Sequence, residues 1–148
     1  MPEARTERVI AAPPAAVWKT LAEFDRIVDW ADNVDHSSYM TEQAEGVGST
    51  RRIAASGQTV LERITEWEPE SKLAYEFVGL PPLIAAASNT WELEPEGAGT
   101  RVALTIDITP GPRPPMRLAA RALARRFAGI NEQMMAGLAR HVEGCLLY

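Results

Sequence analysis

The sequence predicts an α+β fold in which an antiparallel sheet of about seven strands covers one long C-terminal helix. Three observations carry the prediction. From Pro114 to about Cys145, the residues Met116, Ala120, Leu123, Phe127, Ile130, Met134, Leu138 and Val142 recur every three or four positions, which stacks them on one side of a helix. From Val34 onward the apolar period drops from helical to roughly two. Turn residues divide those alternating runs at short, regular intervals, and short connections make successive strands antiparallel neighbours. A helix of ~30 residues is about 45 Å long, so only a whole sheet can cover its stripe.

Taken in order, Glu7 to Ala12 reads as a first strand from its β-branched residues, and Pro13-Pro14 ends it and opens a helix. Val17, Trp18, Leu21 and Phe24 hold helical spacing through Ala15 to Phe24. Asp25 then caps a second short helix that carries Ile27, Val28 and Trp30. Strands follow at about 34–43, 48–55, 58–67, 72–78, 86–95 and 100–109. Their separators are Glu45-Gly46-Val47-Gly48, Ser56-Gly57, Glu68-Pro69-Glu70-Ser71, Gly79-Leu80-Pro81-Pro82 and Glu96-Gly97-Ala98-Gly99. Pro110-Gly111-Pro112-Arg113-Pro114-Pro115 makes a stiff connector into the long helix, where proline suits the first turn. Gly129 and Gly137 weaken that helix and permit bending or close approach.

At 148 residues the chain is expected to form one domain, 1–148, and 46% hydrophobic residues can build a real core. A net charge of −5 argues against a nucleic-acid partner. Arg117, Arg121, Arg125 and Arg126 form a local basic cluster on the long helix, which reads first as a solvated face and second as a contact surface for a protein. The single cysteine, Cys145, excludes a disulfide within the chain. Charges fill the N-terminus where a signal peptide needs an apolar core, and no run approaches the ~18 apolar residues of a membrane span. The expectation is a cytoplasmic monomer or homodimer with no stable membrane insertion. His141 and Cys145 stand four apart on the helix but lack a third ligand, so neither metal nor cofactor is expected. Gly46-Val47-Gly48 precedes a strand rather than a helix and reads as a turn. No Gly-x-Ser-x-Gly elbow or Cys/His nucleophile pair occurs, which excludes the usual signatures of covalent catalysis.

Hairpin geometry specifies an inward face. A two-residue turn at Ser56-Gly57 sets Ile53 opposite Val60, Arg51 opposite Glu62 and Ser49 opposite Ile64, all pointing one way. Placing Ile64 opposite Tyr75 in the next hairpin sets Phe77 beside Glu62 and Leu73 beside Glu66. In the last hairpin Trp91 faces Leu104, Leu93 faces Val102 and Asn89 faces Ile106. The shared lining is Arg51, Ile53, Val60, Glu62, Ile64, Tyr75, Phe77, Asn89, Trp91, Leu93, Val102, Leu104 and Ile106. A carboxylate on this apolar face is costly unless paired or solvated, and Arg51 is the partner for Glu62. The two either satisfy each other or serve a ligand. His36 falls on a strand whose facing the sequence leaves open.

Val9-Ile10-Ala11-Ala12-Pro13-Pro14-Ala15-Ala16-Val17-Trp18, Phe24-Asp25 with Trp30, and Gly46-Val47-Gly48-Ser49 form the first part of a recognisable series. Glu62-Arg63-Ile64-Thr65-Glu66-Trp67-Glu68-Pro69 with Leu73, and Trp91-Glu92-Leu93-Glu94-Pro95 with Gly99-Thr100-Arg101-Val102, complete it. In this order the chain resembles, over its whole length, the polyketide cyclase/dehydrase group of the Bet v 1-like or START-like (SRPBCC) superfamily. The resemblance implies a helix-grip fold, with the curved sheet wrapped around the long helix and a hydrophobic cavity between them. It implies binding of a hydrophobic small molecule such as a lipid, isoprenoid, polyketide or aromatic compound. Phe127, Ile130 and Met134 of the helix would then face the sheet-borne lining. One alternative is a polyketide cyclase or dehydratase in which Glu62, Tyr75 or His36 moves protons. A second alternative is a protein-interaction module. The apolar loop from Gly79 to Ala86, with Trp30 and Phe127, is expected to border the cavity mouth.

Overall fold

The computed structural model describes residues 3–43, 45–55, 58–79, 84–112 and 114–145. Strand β1 (Glu3–Ile10) leads into helix α1 (Pro14–Ala22), which starts on proline as the sequence predicts, and then into a 3₁₀ segment (Phe24–Asp29). Strands β2 (His36–Tyr39), β3 (Thr50–Ala55), β4 (Gln58–Glu68), β5 (Lys72–Val78), β6 (Ile84–Glu96) and β7 (Gly99–Pro110) follow. Helix α2 (Pro114–Cys145) closes the chain. The strands form one seven-stranded sheet in the order β1-β7-β6-β5-β4-β3-β2, and every pairing is antiparallel. The meander is therefore in sequence order, and β1 joins it by pairing with β7 from Glu3 opposite Asp107 to Ile10 opposite Thr100.

Three local departures from the predicted elements have physical causes. β2 is four residues long rather than ten, because Gln43 donates to the Glu45 and Val47 carbonyls and ties the following stretch into a turn. The helix expected after Asp25 is a 3₁₀ segment with no side-chain cap. In the β4–β5 ladder the predicted register holds from Leu61 opposite Val78 to Ile64 opposite Tyr75, then shifts by one. The bulge falls between Ile64 and Glu66, so Leu73 faces Trp67 and not Glu66. It turns Trp67 towards the interior, where it meets Trp18 edge to face at 5.1 Å.

Helix α2 lies chiefly against β1 and β7, while α1 and the 3₁₀ segment cover the interior from another side. Of the predicted stripe, Ala120, Met134, Leu138 and Val142 are buried, and Met116, Leu123, Phe127 and Ile130 are half-buried. The main core joins α1, the 3₁₀ segment, the sheet and the C-terminal half of α2. A smaller cluster of Ile84, Ala87, Ile106, Ile108, Ala120 and Ala124 sits under its N-terminal half. Gly137 is where the long helix touches the 3₁₀ segment. A Cβ there would collide with the Trp30 carbonyl oxygen, whereas one at Gly129 would meet nothing within 4 Å.

Candidate functional site

The inward face follows the predicted pairing at its centre. Arg51 stands opposite Glu62, Glu62 opposite Phe77, Tyr75 opposite Asn89, and Asn89 opposite Ile106. Two polar assemblies are set in otherwise apolar surroundings.

The first is the Arg51–Glu62 pair. Arg51 is 3% and Glu62 6% exposed, and Arg51 donates from Nε (2.8 Å) and Nη2 (2.6 Å) to the same Glu62 oxygen, Oε1. Its Nη1 donates to the Phe24 carbonyl at 2.9 Å, which pins the start of the 3₁₀ segment to the sheet. The guanidinium lies 3.6 Å from the Phe24 ring centroid and 4.7 Å from that of Tyr75, a cation–π arrangement. Burial pushes the Glu62 carboxyl above the usual carboxylate range, and the charge and hydrogen bonds of Arg51 only partly oppose it.

The second assembly is a chain of side chains. Asn131 Nδ2 donates to Asn89 Oδ1 at 3.1 Å, and Asn89 Nδ2 donates to the Tyr75 hydroxyl at 3.3 Å. It crosses from α2 to the sheet. Burial, then the charge of Glu62, raises the Tyr75 phenol to about 12, so it is a neutral hydroxyl with a proton to donate. Asn131 is absent from the lining that the sequence predicts, although it lies on the α2 stripe between Phe127 and Met134. A polar residue at an apolar position was the available signal. Among the described residues, the buried Oδ1 of Asn131, Nε1 of Trp30 and Oγ of Ser49 find no hydrogen-bond partner.

Aromatic rings fill the space around these groups. Phe24 meets Tyr75 at 5.4 Å, Tyr75 meets Phe77 at 6.1 Å, and Trp30 meets Trp91 at 5.9 Å. Trp30 is buried in the main core. Phe77 and Phe127, both half-buried, stack obliquely at 5.6 Å where the two core clusters adjoin. Ile53, Ile64, Trp91, Leu104 and Met134 are buried, and Val60 and Ile130 are half-buried. His36 is not brought to this face: it pairs with Ala54 on the solvent side of β2, because Arg51 and Ile53 take the alternate, inward positions. Leu80 to Leu83 of the expected mouth, and the Cys145 side chain, lie outside the described residues. Among those described, no three His, Cys, Asp or Glu side chains converge on a metal position. None of the helices there is long and apolar enough to cross a membrane.

A pocket of about 260 Å³ lies elsewhere, between α1, the 3₁₀ segment and the end of α2. It is lined by residues that include Lys19, Glu23, Arg26, Trp30 and His141. Between the sheet and α2, among the described residues, Phe24, Tyr75, Phe77 and Phe127 meet ring to ring.

A curved antiparallel sheet around a long C-terminal helix, with short helices after the first strand, defines the Bet v 1-like helix-grip class. The chain belongs to the family described as polyketide cyclase / dehydrase and lipid transport, which it matches over residues 1–143. Among solved structures it is similar to the protein TTHA0849 from Thermus thermophilus, at 25% identity and a TM-score of 0.76, covering 97% of this chain and 99% of that one. It is also similar to the di-domain ARO/CYC StfQ from the steffimycin biosynthetic pathway, at 13% identity and a TM-score of 0.80, covering 99% of this chain and 52% of that one. Ara h 8.0201 gives 18% identity and a TM-score of 0.71, with 98% and 97% covered. A comparison with curated proteins gave no match.

Proposed function

We propose that the protein binds an apolar small molecule carrying a hydroxyl or carbonyl end, held between the sheet and α2. The observation that carries this reading is the set of buried polar groups that the fold leaves incompletely satisfied. A buried ion pair does little for stability that apolar residues could not do, and each unpaired buried group costs about 1–3 kcal/mol. A ligand oxygen could donate to Asn131 Oδ1 or accept from Tyr75 Oη or Trp30 Nε1, while the surrounding rings take its apolar body. Because these side chains now touch, the ligand makes room by parting the half-buried Phe77 and Phe127 rings. Organic extraction of purified protein followed by mass spectrometry tests the reading. A stoichiometric apolar compound supports it; an empty extract, together with no saturable binding across a panel of apolar fluorescent probes, contradicts it.

A second reading is acid–base catalysis, as in a polyketide cyclase or dehydratase. The Glu62 carboxyl, whose proton affinity burial raises, and the neutral Tyr75 phenol favour it, because an acceptor and a donor of protons then share the same apolar interior. Its mark is turnover of a poly-keto substrate that disappears in Glu62→Gln while probe binding persists.

A further inference from the structure

The charge of the chain is strongly segregated. Between Asp107 and Glu132 there is no acidic residue, and that stretch holds Arg113, Arg117, Arg121, Arg125 and Arg126 in a protein whose net charge is −5. Six of the arginines elsewhere are neutralised within the fold: Arg5 by Glu7 and Glu92, Arg26 by Asp29, Arg51 by Glu62, Arg63 by Glu76, Arg101 by Glu96, and Arg140 by Asp32, while Arg8 and Arg52 stand singly on separate strands, β1 and β3. Among the described residues, Arg117, Arg121, Arg125 and Arg126 make no ion pair, and all four are exposed.

Helical geometry arranges them. At 3.6 residues per turn, Arg117, Arg121 and Arg125 run up one side of the solvent arc of α2 and Arg126 lies on the other. Leu118 falls between them with the exposed Ala122, and at 69% it is the most exposed large hydrophobic residue among the described residues. An apolar centre flanked by unpaired arginines fits a lipid–water interface: the leucine enters the headgroup layer and the guanidinium groups spread to phosphates. A soluble acidic polymer would account for the arginines but offers no apolar layer for the leucine to enter.

We infer that the N-terminal half of α2 docks on anionic lipid bilayers. The acidic remainder of the chain is repelled by such a surface, so the two effects orient the molecule with this half of α2 against it. That places the Phe77–Phe127 contact, on the inner side of the same helical stretch, close to the membrane. The inference stands on charge and exposure and does not require the ligand reading.

The test is co-sedimentation of the whole protein with vesicles of phosphatidylcholine alone or mixed with phosphatidylserine, at low and high salt. Binding is expected only to the phosphatidylserine vesicles and should weaken with salt. Each arginine at an anionic surface is worth about fivefold, so Arg117→Gln/Arg121→Gln/Arg125→Gln should bind roughly a hundredfold more weakly. Leu118→Ser should also weaken binding, whereas Arg5→Gln/Arg63→Gln/Arg101→Gln, with the same loss of charge, should retain most of it. Circular dichroism confirms that each variant is folded. Equal binding to both vesicle types, or undiminished binding by the α2 triple variant, would overturn the inference. So would binding to soluble polyglutamate with none to vesicles, the behaviour of a site for an acidic protein.

Discussion

Replacing Arg51 by methionine isolates the role of the buried pair. The variant removes both hydrogen bonds to Glu62 Oε1, the donor to the Phe24 carbonyl and the cation–π contacts, and leaves a carboxylate that is 6% exposed with no counter-charge. Breaking a buried pair from one side costs about 3–5 kcal/mol, so Arg51→Met should lose that much at pH 7. The loss should shrink in acid. Arg51 is what opposes the burial-driven rise of the Glu62 pKa, so without it the folded value moves further above the ordinary 4.5. For a carboxyl raised in the fold, stability is fully present below the unfolded pKa and is lost as pH rises through the folded one. The variant should therefore recover stability from neutral pH to about pH 5. In Arg51→Met/Glu62→Leu both charges are gone and only the Phe24 carbonyl lacks its partner, so the double variant should lie within about 2 kcal/mol of wild type. Urea denaturation at the two pH values measures all of this. A double variant as unstable as the single one would show that the pair is a net structural asset, and the argument that it serves a ligand would fail.

The two helical glycines should respond in opposite directions. Gly129→Ala should stabilise by about 1 kcal/mol because its Cβ meets nothing and alanine favours the helix, while Gly137→Ala should destabilise because its Cβ collides with the Trp30 carbonyl oxygen; thermal unfolding of both reads the signs. Tyr75, whose phenol is raised to about 12 by burial, holds its proton in the fold at pH values where the unfolded chain, near 10, releases it. Stability should thus fall by about 3 kcal/mol between roughly pH 10 and pH 12 through this group alone, and that part of the slope should vanish in Tyr75→Phe.

How much could be read in advance differs between ladder and side-chain detail. The hairpin registers were legible because a two-residue turn and a period of two leave few choices; Arg51 opposite Glu62 and Asn89 opposite Ile106 both follow from them. The bulge after Ile64 was not legible: Thr65 carries no glycine or proline to mark it, and Trp67 turns inward by one residue's slip. Asn131 was hidden for a related reason, since a stripe is recognised by its apolar members and a buried amide looks like an interruption. The openness of the interior depends on how rings such as Phe24, Phe77 and Phe127 rotate against each other, which periodicity does not encode. Nor does charge counting distinguish neutralised arginines from the unpaired row on α2, because Arg5 on β1 reaches Glu92 two strands away on β6 and Arg101 on β7 reaches Glu96 at the end of β6.

The central claim is that the interior recognises a polar end as well as an apolar body. Titrating the protein with 2-naphthol and with naphthalene tests it most directly, since the two differ by one hydroxyl on the same rings. A single hydrogen bond to the incompletely satisfied groups is worth about 0.5–1.5 kcal/mol, so naphthol should bind roughly 3–10-fold tighter after correction for its lower partition into apolar solvent. Asn131→Leu should erase that advantage while still binding naphthalene. Equal affinities in the wild-type protein, or an advantage that survives Asn131→Leu and Tyr75→Phe alike, would contradict the claim.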